Sequence, residues 1–173
     1  MKPIKIESHY VVDSNVAIYG SFATTIFTQN LHPLAAACNS FLSRATFHGA
    51  DLHVPAVFFS EIMNFTYGSL VSSNLYSLEE SKVILEEILG TNWEMHIPVW
   101  NSVFDMQHNL EYQSSITDAE FLSLADDLNF TFITTDTQLV REVQEANLNV
   151  KVLLITDHPW AQSGSVDEFP IDS

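Results

Sequence analysis

The sequence predicts an α/β fold in which a parallel sheet is covered by helices on both faces. Short runs rich in β-branched and aromatic residues alternate along the chain with segments of helical period, and this alternation is typical of a parallel sheet between helices. With 173 residues, 46% of them hydrophobic, the chain is long enough for one core and too short for two ordinary domains.

Five segments are predicted strands because they are short, apolar and bounded by polar or turn-forming residues. They are His9 to Val12, Leu52 to Val54, Trp93 to Ile97, Phe130 to Ile133 and Val150 to Ile155.

Helices are predicted between these strands. Pro55 is expected just inside the start of a helix that continues from Ala56 to Leu70. Ser77 and Glu80 have the spacing of a capping box ahead of an amphipathic run, and Gly90 is expected to end that helix.

Two more helices follow later in the chain. Thr117 and Glu120 repeat the capping-box spacing, and Leu139 and Val143 mark one face of another amphipathic helix. Residues 18–34 show no clear period, which leaves either a helix or a loop with a helical turn.

The ends and the compartment follow from composition. Residues 157–173 contain two prolines and four acids without a base, which predicts an extended or disordered tail after a single domain over residues 1–156. No membrane span or signal peptide is indicated, so we expect a soluble, cytoplasmic protein. The lone Cys38 cannot form an internal disulfide and is expected to be a small buried residue.

The charge balance is strongly acidic, with 22 Asp and Glu against six Lys and Arg and a net charge of −16. Such a surface repels polyanions, because nucleic-acid affinity comes largely from basic side chains that displace counterions. The ordinary interpretation is a solvated acidic surface. The alternative is a surface that meets a basic protein partner or binds cations.

Four acids are candidates for function because of where they stand. Asp13 directly follows the first strand, and Asp136 follows the fourth, in FTFITTD. Asp118 lies at the start of a helix in ITDAEF, and Glu61 lies in an otherwise apolar helix in VFFSEIMNF. Ligands in parallel α/β sheets bind beyond the carboxyl ends of the strands, so we expect these acids to converge there.

Each acid also has an ordinary explanation. Asp13 and Asp136 fit turn or cap positions, Asp118 an ordinary helix start, and Glu61 a surface position. As a group they need a cation, because each carboxylate pair about 5 Å apart repels by roughly 3 kcal/mol at an effective dielectric of about 20. Oxygen ligands favour Mg²⁺ or Mn²⁺.

The order VVDSN, SEIMN and TDAEFLSLADDLNFTFITTD resembles the PIN domain family, whose members include VapC-type toxin ribonucleases and other metal-dependent single-strand nucleases. The resemblance spans Tyr10 to Ile155, and its most specific part is the last of these three segments. It implies a Rossmann-like three-layer α/β/α sandwich with a central, mostly parallel sheet. It also implies one or two Mg²⁺ or Mn²⁺ ions that serve phosphodiester hydrolysis.

By position, the resemblance gives the catalytic, metal-binding quartet as Asp13, Glu61, Asp118 and Asp136. Asn15 and Thr134 match polar positions that would orient the carboxylates. Asn and Thr beside an aspartate are, however, more often local turn formers.

Arg141 is the best placed of the few bases to contact a phosphate, since it follows Asp136 by five residues. The ordinary interpretation is a surface cation beside Glu142 and Glu145. An aspartyl-phosphate phosphatase also places Asp after its first strand, but it generally has a second Asp where Asn15 stands. The seven histidines show no HxH or HExxH spacing, so a zinc site is not expected.

The predicted function is therefore a Mg²⁺- or Mn²⁺-dependent endoribonuclease that hydrolyses phosphodiester bonds in single-stranded RNA. The toxin of a toxin–antitoxin pair is one form that such an enzyme takes. The expected partners are RNA, an antitoxin or another basic protein, and a second copy in a homodimer, with no membrane. The alternative is a PIN-like protein-interaction module with weak or no nuclease activity, whose acidity meets a basic surface.

Overall fold

The computed structural model describes residues 6–25, 33–111 and 114–161. All five predicted strands are confirmed with small changes at their ends: β1 (His9–Val12), β2 (Asp51–Pro55), β3 (Trp93–His96), β4 (Thr131–Thr134) and β5 (Val152–Leu154). They form one parallel sheet in the order β3-β2-β1-β4-β5. The strand order reverses between β1 and β4, where a ligand crevice is expected in such sheets.

Helices cover both faces of the sheet. They are α1 (Ser14–Thr25), α2 (Pro33–His48), α3 (Val57–Met63), α4 (Leu78–Gly90), α5 (Trp100–Asn109), α6 (Ile116–Leu128) and α7 (Thr137–Glu145), with a π-helical segment at Asn64–Val71 and 3-10 turns at Ile155–Asp157 and Pro159–Ala161. None of the described helices is long and apolar enough to cross a membrane.

The two faces carry separate cores, since successive strand residues point to opposite sides of a sheet. Val11 and Phe132 pack with α3, α4, α5 and α6 on one face, whereas Tyr10 and Ile133 pack with α2 and Trp160 on the other. The result is the predicted three-layer α/β/α sandwich.

Several predicted element limits were wrong or incomplete. Pro55 ends β2, paired with His96, and does not begin a helix. The Ala56 N–H donates to the His96 carbonyl oxygen (3.0 Å), which continues the pairing of β2 with β3, and the helix begins at Val57. Helices α2 and α5 were not predicted. Of the uncertain segment 18–34, residues 18–25 belong to α1, and 26–32 lie outside the described residues.

One predicted capping box is confirmed and the other is wrong. The Ser77 N–H donates to Glu80 Oε2 (2.8 Å) and the Glu80 N–H donates to Ser77 Oγ (3.2 Å), as expected. At α6 the box consists of Ser115 and Asp118, not Thr117 and Glu120. Both pairs have the same spacing, but α6 begins at Ile116, two residues before the expected start.

The predicted tail begins with folded structure. His158 and Trp160 are fully buried, and the buried Arg44 guanidinium donates a 2.8 Å hydrogen bond to the Trp160 carbonyl oxygen. Trp160 therefore belongs to the second core, which is the core that contains Tyr10 and Ile133. Residues 162–173 lie outside the described part of the chain.

Candidate active site

Asp13 lies at the carboxyl edge of the sheet, where the strand order reverses. Its N–H donates to the Ile133 carbonyl oxygen (3.0 Å), which extends the pairing of β1 with β4 by one residue. Its carboxylate, only 8% exposed, accepts hydrogen bonds from Thr134 Oγ1 (2.6 Å), the Asn15 N–H (3.2 Å) and Ser14 Oγ (3.3 Å). Burial raises the pKa of Asp13 above its usual value despite these bonds, and the charge of Asp118 adds to the effect.

Glu61 projects from α3 toward the same acids. Burial raises its pKa to about 7, the Ser14 hydroxyl lowers it, and the charges of Asp13, Asp118 and Glu120 raise it further. Its Oε2 atom is buried and has no hydrogen-bond partner among the described residues. A buried carboxylate oxygen without a donor is costly, so this position is suited to a cation or a proton.

Asp118 is partly buried in the first turn of α6. Its Oδ2 atom accepts hydrogen bonds from the Ser115 N–H (2.9 Å) and Ser115 Oγ (2.6 Å). The charge of Asp118 raises the pKa of both Asp13 and Glu61, so these three of the four predicted acids share one neighbourhood, although their oxygens do not all lie within 4.8 Å of one another.

Asp136 is connected to this group less directly. It is exposed and caps α7, where its Oδ1 atom accepts the N–H groups of Gln138 (2.7 Å) and Leu139 (3.0 Å). Its own N–H donates to Thr134 Oγ1 (3.0 Å), and the same hydroxyl donates to Asp13. Thr134 thus links the two strand-end aspartates. The interpretation of Asp136 as a helix cap is confirmed, and its metal-binding role stays a prediction.

Glu120 is a further acid of this candidate site. The sequence prediction missed it because the sequence analysis assigned Glu120 to a capping box. It is 7% exposed, burial raises its pKa, and its charge acts on Glu61. It also lines a cleft with Pro55, His96 and Ser123. The available signal was its position two residues after Asp118 in a helix whose next residues are apolar.

The remaining predicted positions have mixed outcomes. The Asn15 side chain is exposed, and its contact with Asp13 is made by the backbone N–H. Thr134 does contact Asp13 through its side chain. Arg141 is exposed on α7, whereas Arg44 is buried against the 3-10 turns and is not available to a polyanion.

The acidic residues fit a hard divalent cation by their chemistry. Every donor is a carboxylate or hydroxyl oxygen, and the unpartnered Oε2 of Glu61 lies among three further acids. The carboxylate oxygens of these acids are, however, too far apart to share one ion as they stand. Within the described residues, a group of three His, Cys, Asp or Glu side chains with ligand atoms within 4.8 Å of one another occurs only at His53, Glu94 and His96. Carboxylates repel one another, and a divalent ion held by Asp13, Glu61 and Asp118 would offset that repulsion.

Comparisons with known proteins support the fold. No family model matches the sequence, and no curated protein matches it. A chain of the VapBC2 complex from Rickettsia felis, solved bound to a DNA fragment from their promoter, matches with a TM-score of 0.57 and 16% identity. The match covers 84% of this chain and 98% of that chain. At this identity it shows the fold alone, which is PIN-like.

Proposed function

We propose that this chain is a metal-dependent endoribonuclease that hydrolyses phosphodiester bonds in single-stranded RNA. The observation that carries the proposal is the buried, unpartnered oxygen of Glu61 beside Asp13 and Asp118. This group lies at the point of the parallel sheet where such folds bind ligands.

The ligands of Mg²⁺ or Mn²⁺ would be Asp13, Glu61, Asp118 and Asp136. When bound, such an ion lowers the pKa of a water and stabilises the charge on the leaving oxygen. Thr134 fixes the Asp13 carboxylate through its 2.6 Å hydrogen bond. Without an ion, burial raises the pKa of Glu61 to about 7, so Glu61 takes up a proton near neutral pH, and a bound ion would displace that proton.

Hydrolysis adds the water oxygen to phosphorus, breaks one ester P–O bond and leaves a phosphate monoester and an alcohol. The protein offers few cations to hold the RNA, since Arg44 is buried and Lys82 faces Glu86 at 3.7 Å. Arg141, exposed on the helix that Asp136 caps, is our proposed phosphate contact. We therefore expect binding to RNA to depend strongly on the metal.

A specific observation favours a protein partner as well. Apolar side chains are exposed in succession along β3 and the start of α5, at Met95 (55%), Ile97 (81%), Val99 (58%), Trp100 (53%) and Phe104 (58%). Exposed apolar patches often mark protein interfaces. The similar VapBC2 structure is a complex, and we propose that this surface binds a second copy of the chain or an antitoxin.

A cleavage assay on mixed cellular RNA tests the enzyme. Wild type with Mn²⁺ should cut single-stranded regions, and a chelator should stop the reaction. Glu61→Gln should abolish cutting, whereas Glu145→Gln, an exposed acid on α7, should not. Metal binding without cleavage by wild type would overturn the nuclease and leave the interaction module.

A further inference from the structure

A second cluster of metal-ligating side chains lies on β2 and β3 and shares no residue with the acidic site. His53 and Glu94 are paired across the two strands, and His96 follows two residues after Glu94 on the same side of β3. The ring Nδ1 of His53 lies 3.0 Å from Nε2 of His96. The Glu94 carboxylate places Oε2 3.4 Å from His53 Nδ1 and Oε1 3.7 Å from His96 Nε2.

We propose that His53, Glu94 and His96 form a Zn²⁺ site that joins the edge strand β3 to β2. Tetrahedral zinc with bonds of about 2.0 to 2.2 Å holds its ligand atoms about 3.3 to 3.5 Å apart. The two ring nitrogens are slightly closer than this, at 3.0 Å, and each has one of the two Glu94 oxygens nearby, at 3.4 and 3.7 Å. One ligand atom from each residue lies within 4.8 Å of the other two, so side-chain rotations can bring the three around one ion. Two imidazole nitrogens select a transition metal over Mg²⁺ or Ca²⁺, which prefer oxygen.

The surroundings of His53 suit a metal ligand. With Nδ1 facing the cluster, its Nε2 lies 3.3 Å from His9 Nδ1, and the two rings lie against Phe130 with centroids 4.8 Å away in each case. A ligating histidine commonly donates its other N–H to a fixed acceptor, which sets the tautomer. Asp51 Oδ2 also lies 3.3 Å from His9 Nδ1. His9 Nδ1 can therefore accept the His53 N–H only in the tautomer that carries its proton on Nε2.

The exposure of the cluster to solvent and its position between β2 and β3 also support a metal site. The side chains of Glu94 and His96 are 58% and 25% exposed, so an ion can enter from solvent and keep a water as its fourth ligand. Strand β3 lies at the end of the strand order and is paired with β2 alone among the described strands. An ion shared by both strands would supplement these hydrogen bonds. The alternative is that the cluster does not bind metal and that its contacts are a chain of hydrogen-bonded imidazoles.

The test is a titration with Co²⁺ and Zn²⁺ in excess Mg²⁺, which occupies the acidic site but does not bind imidazole. Wild type should bind one equivalent of Co²⁺ with the visible absorption of a four-coordinate ion, and Zn²⁺ should displace it. His96→Gln and Glu94→Gln should each weaken Zn²⁺ affinity at least about tenfold. Zn²⁺ should also raise the melting temperature of wild type but not of His96→Gln.

Two controls separate this site from other ones. His108→Gln, at an exposed histidine near the end of α5, should bind Zn²⁺ as wild type does. Glu61→Gln should also keep Zn²⁺ binding, so this result is independent of the nuclease proposal. Absence of Zn²⁺ binding by wild type in excess Mg²⁺, or equal affinities for wild type and His96→Gln, would overturn the proposal. Glu94 is exposed and His96 is half-buried, so we expect both variants to fold.

Discussion

The Thr134 hydroxyl donates a 2.6 Å hydrogen bond to Oδ2 of Asp13 and accepts the N–H of Asp136 at 3.0 Å. This one buried side chain joins the ends of β1 and β4 at the reversal of strand order. A hydrogen bond to a charged carboxylate stabilises its ionised form, and it fixes the rotamer as well. Thr134 thus holds in place the most buried of the four proposed ligands.

Replacing Thr134 with Val, which has nearly the same shape, should remove the hydroxyl that holds the Asp13 carboxylate. The pKa of Asp13 should rise further because a hydrogen bond that lowers it is lost. We expect Mn²⁺ affinity to fall about 10- to 100-fold, measured by calorimetric titration. Thr131→Val is the matched control, since Thr131 lies on the same strand and donates to Glu7 (2.9 Å) instead. Equal Mn²⁺ affinity in both variants would contradict this role.

Glu61 should make the metal-free protein less stable as the pH rises. Its folded pKa of about 7 lies above the ordinary 4.5, so the unfolded chain binds fewer protons between these values. Folding stability therefore falls as pH climbs from about 4.5 through about 7. In chelator near pH 8, Glu61→Gln should be more stable than wild type by about 1 to 2 kcal/mol, a value discounted because solvent reaches the side chain.

Denaturant unfolding across this pH range measures the effect of Glu61. Glu145→Gln, at an exposed position, should retain the wild-type pH dependence. Mn²⁺ should stabilise wild type more than Glu61→Gln, since the ion relieves the buried charge. The assignment fails if Glu61→Gln and wild type have the same pH dependence in chelator.

The strands and most of the acidic site were predictable because their signals are local. A β-branched run followed by Asp predicts both the strand and the carboxylate at its end, as at Asp13. Parallel pairing then brings every such end to one edge of the sheet, whatever the strand order. Local spacing cannot say which of two overlapping capping boxes forms. The sequence therefore predicts a box that contains Glu120, whereas the box in the structure contains Asp118.

Contacts between distant segments could not be predicted. His53 and His96 are far apart in sequence, and they meet because β2 and β3 pair in one particular register. A search for His spacing along the chain does not detect such a pair. Arg44 is likewise polar in sequence but buried, because the 3-10 turns after β5 fold back over α2 and offer it carbonyl oxygens. Nothing near Arg44 in the sequence indicates those partners.

Acid should destabilise the second core through His158. This side chain is fully buried and burial lowers its pKa to about 4, below the 6.5 of the unfolded chain. Its Nδ1 accepts the Trp160 N–H (3.1 Å), which a proton there would block. Stability is therefore fully present above about pH 6.5 and is lost as pH falls toward about 4, by up to about 3 kcal/mol.

The comparison of His158→Gln with wild type isolates the pH-dependent contribution of His158 to folding stability, since Gln does not titrate. Between about pH 7 and pH 4.5, the stability difference between the two proteins should narrow, because only wild type must leave a histidine neutral. His108→Gln, an exposed histidine on α5, should follow wild type. A difference that stays constant over this range would show that folding does not lower the pKa of His158.

Asp136 has a structural role and a proposed chemical one, and two substitutions separate them. Asp136→Asn keeps an oxygen that can accept the Gln138 and Leu139 N–H groups, whereas Asp136→Ala removes the cap and should cost about 1 kcal/mol. Both should lose cleavage and most of the stabilisation by Mn²⁺, because both remove a charged ligand. Ser77→Ala removes the α4 cap and should lose stability while cleavage continues. Thermal melts and RNA cleavage decide the matter: if Asp136→Asn cuts RNA as wild type does, Asp136 is only a helix cap, and the ligand set must be sought among Asp13, Glu61, Asp118 and Glu120.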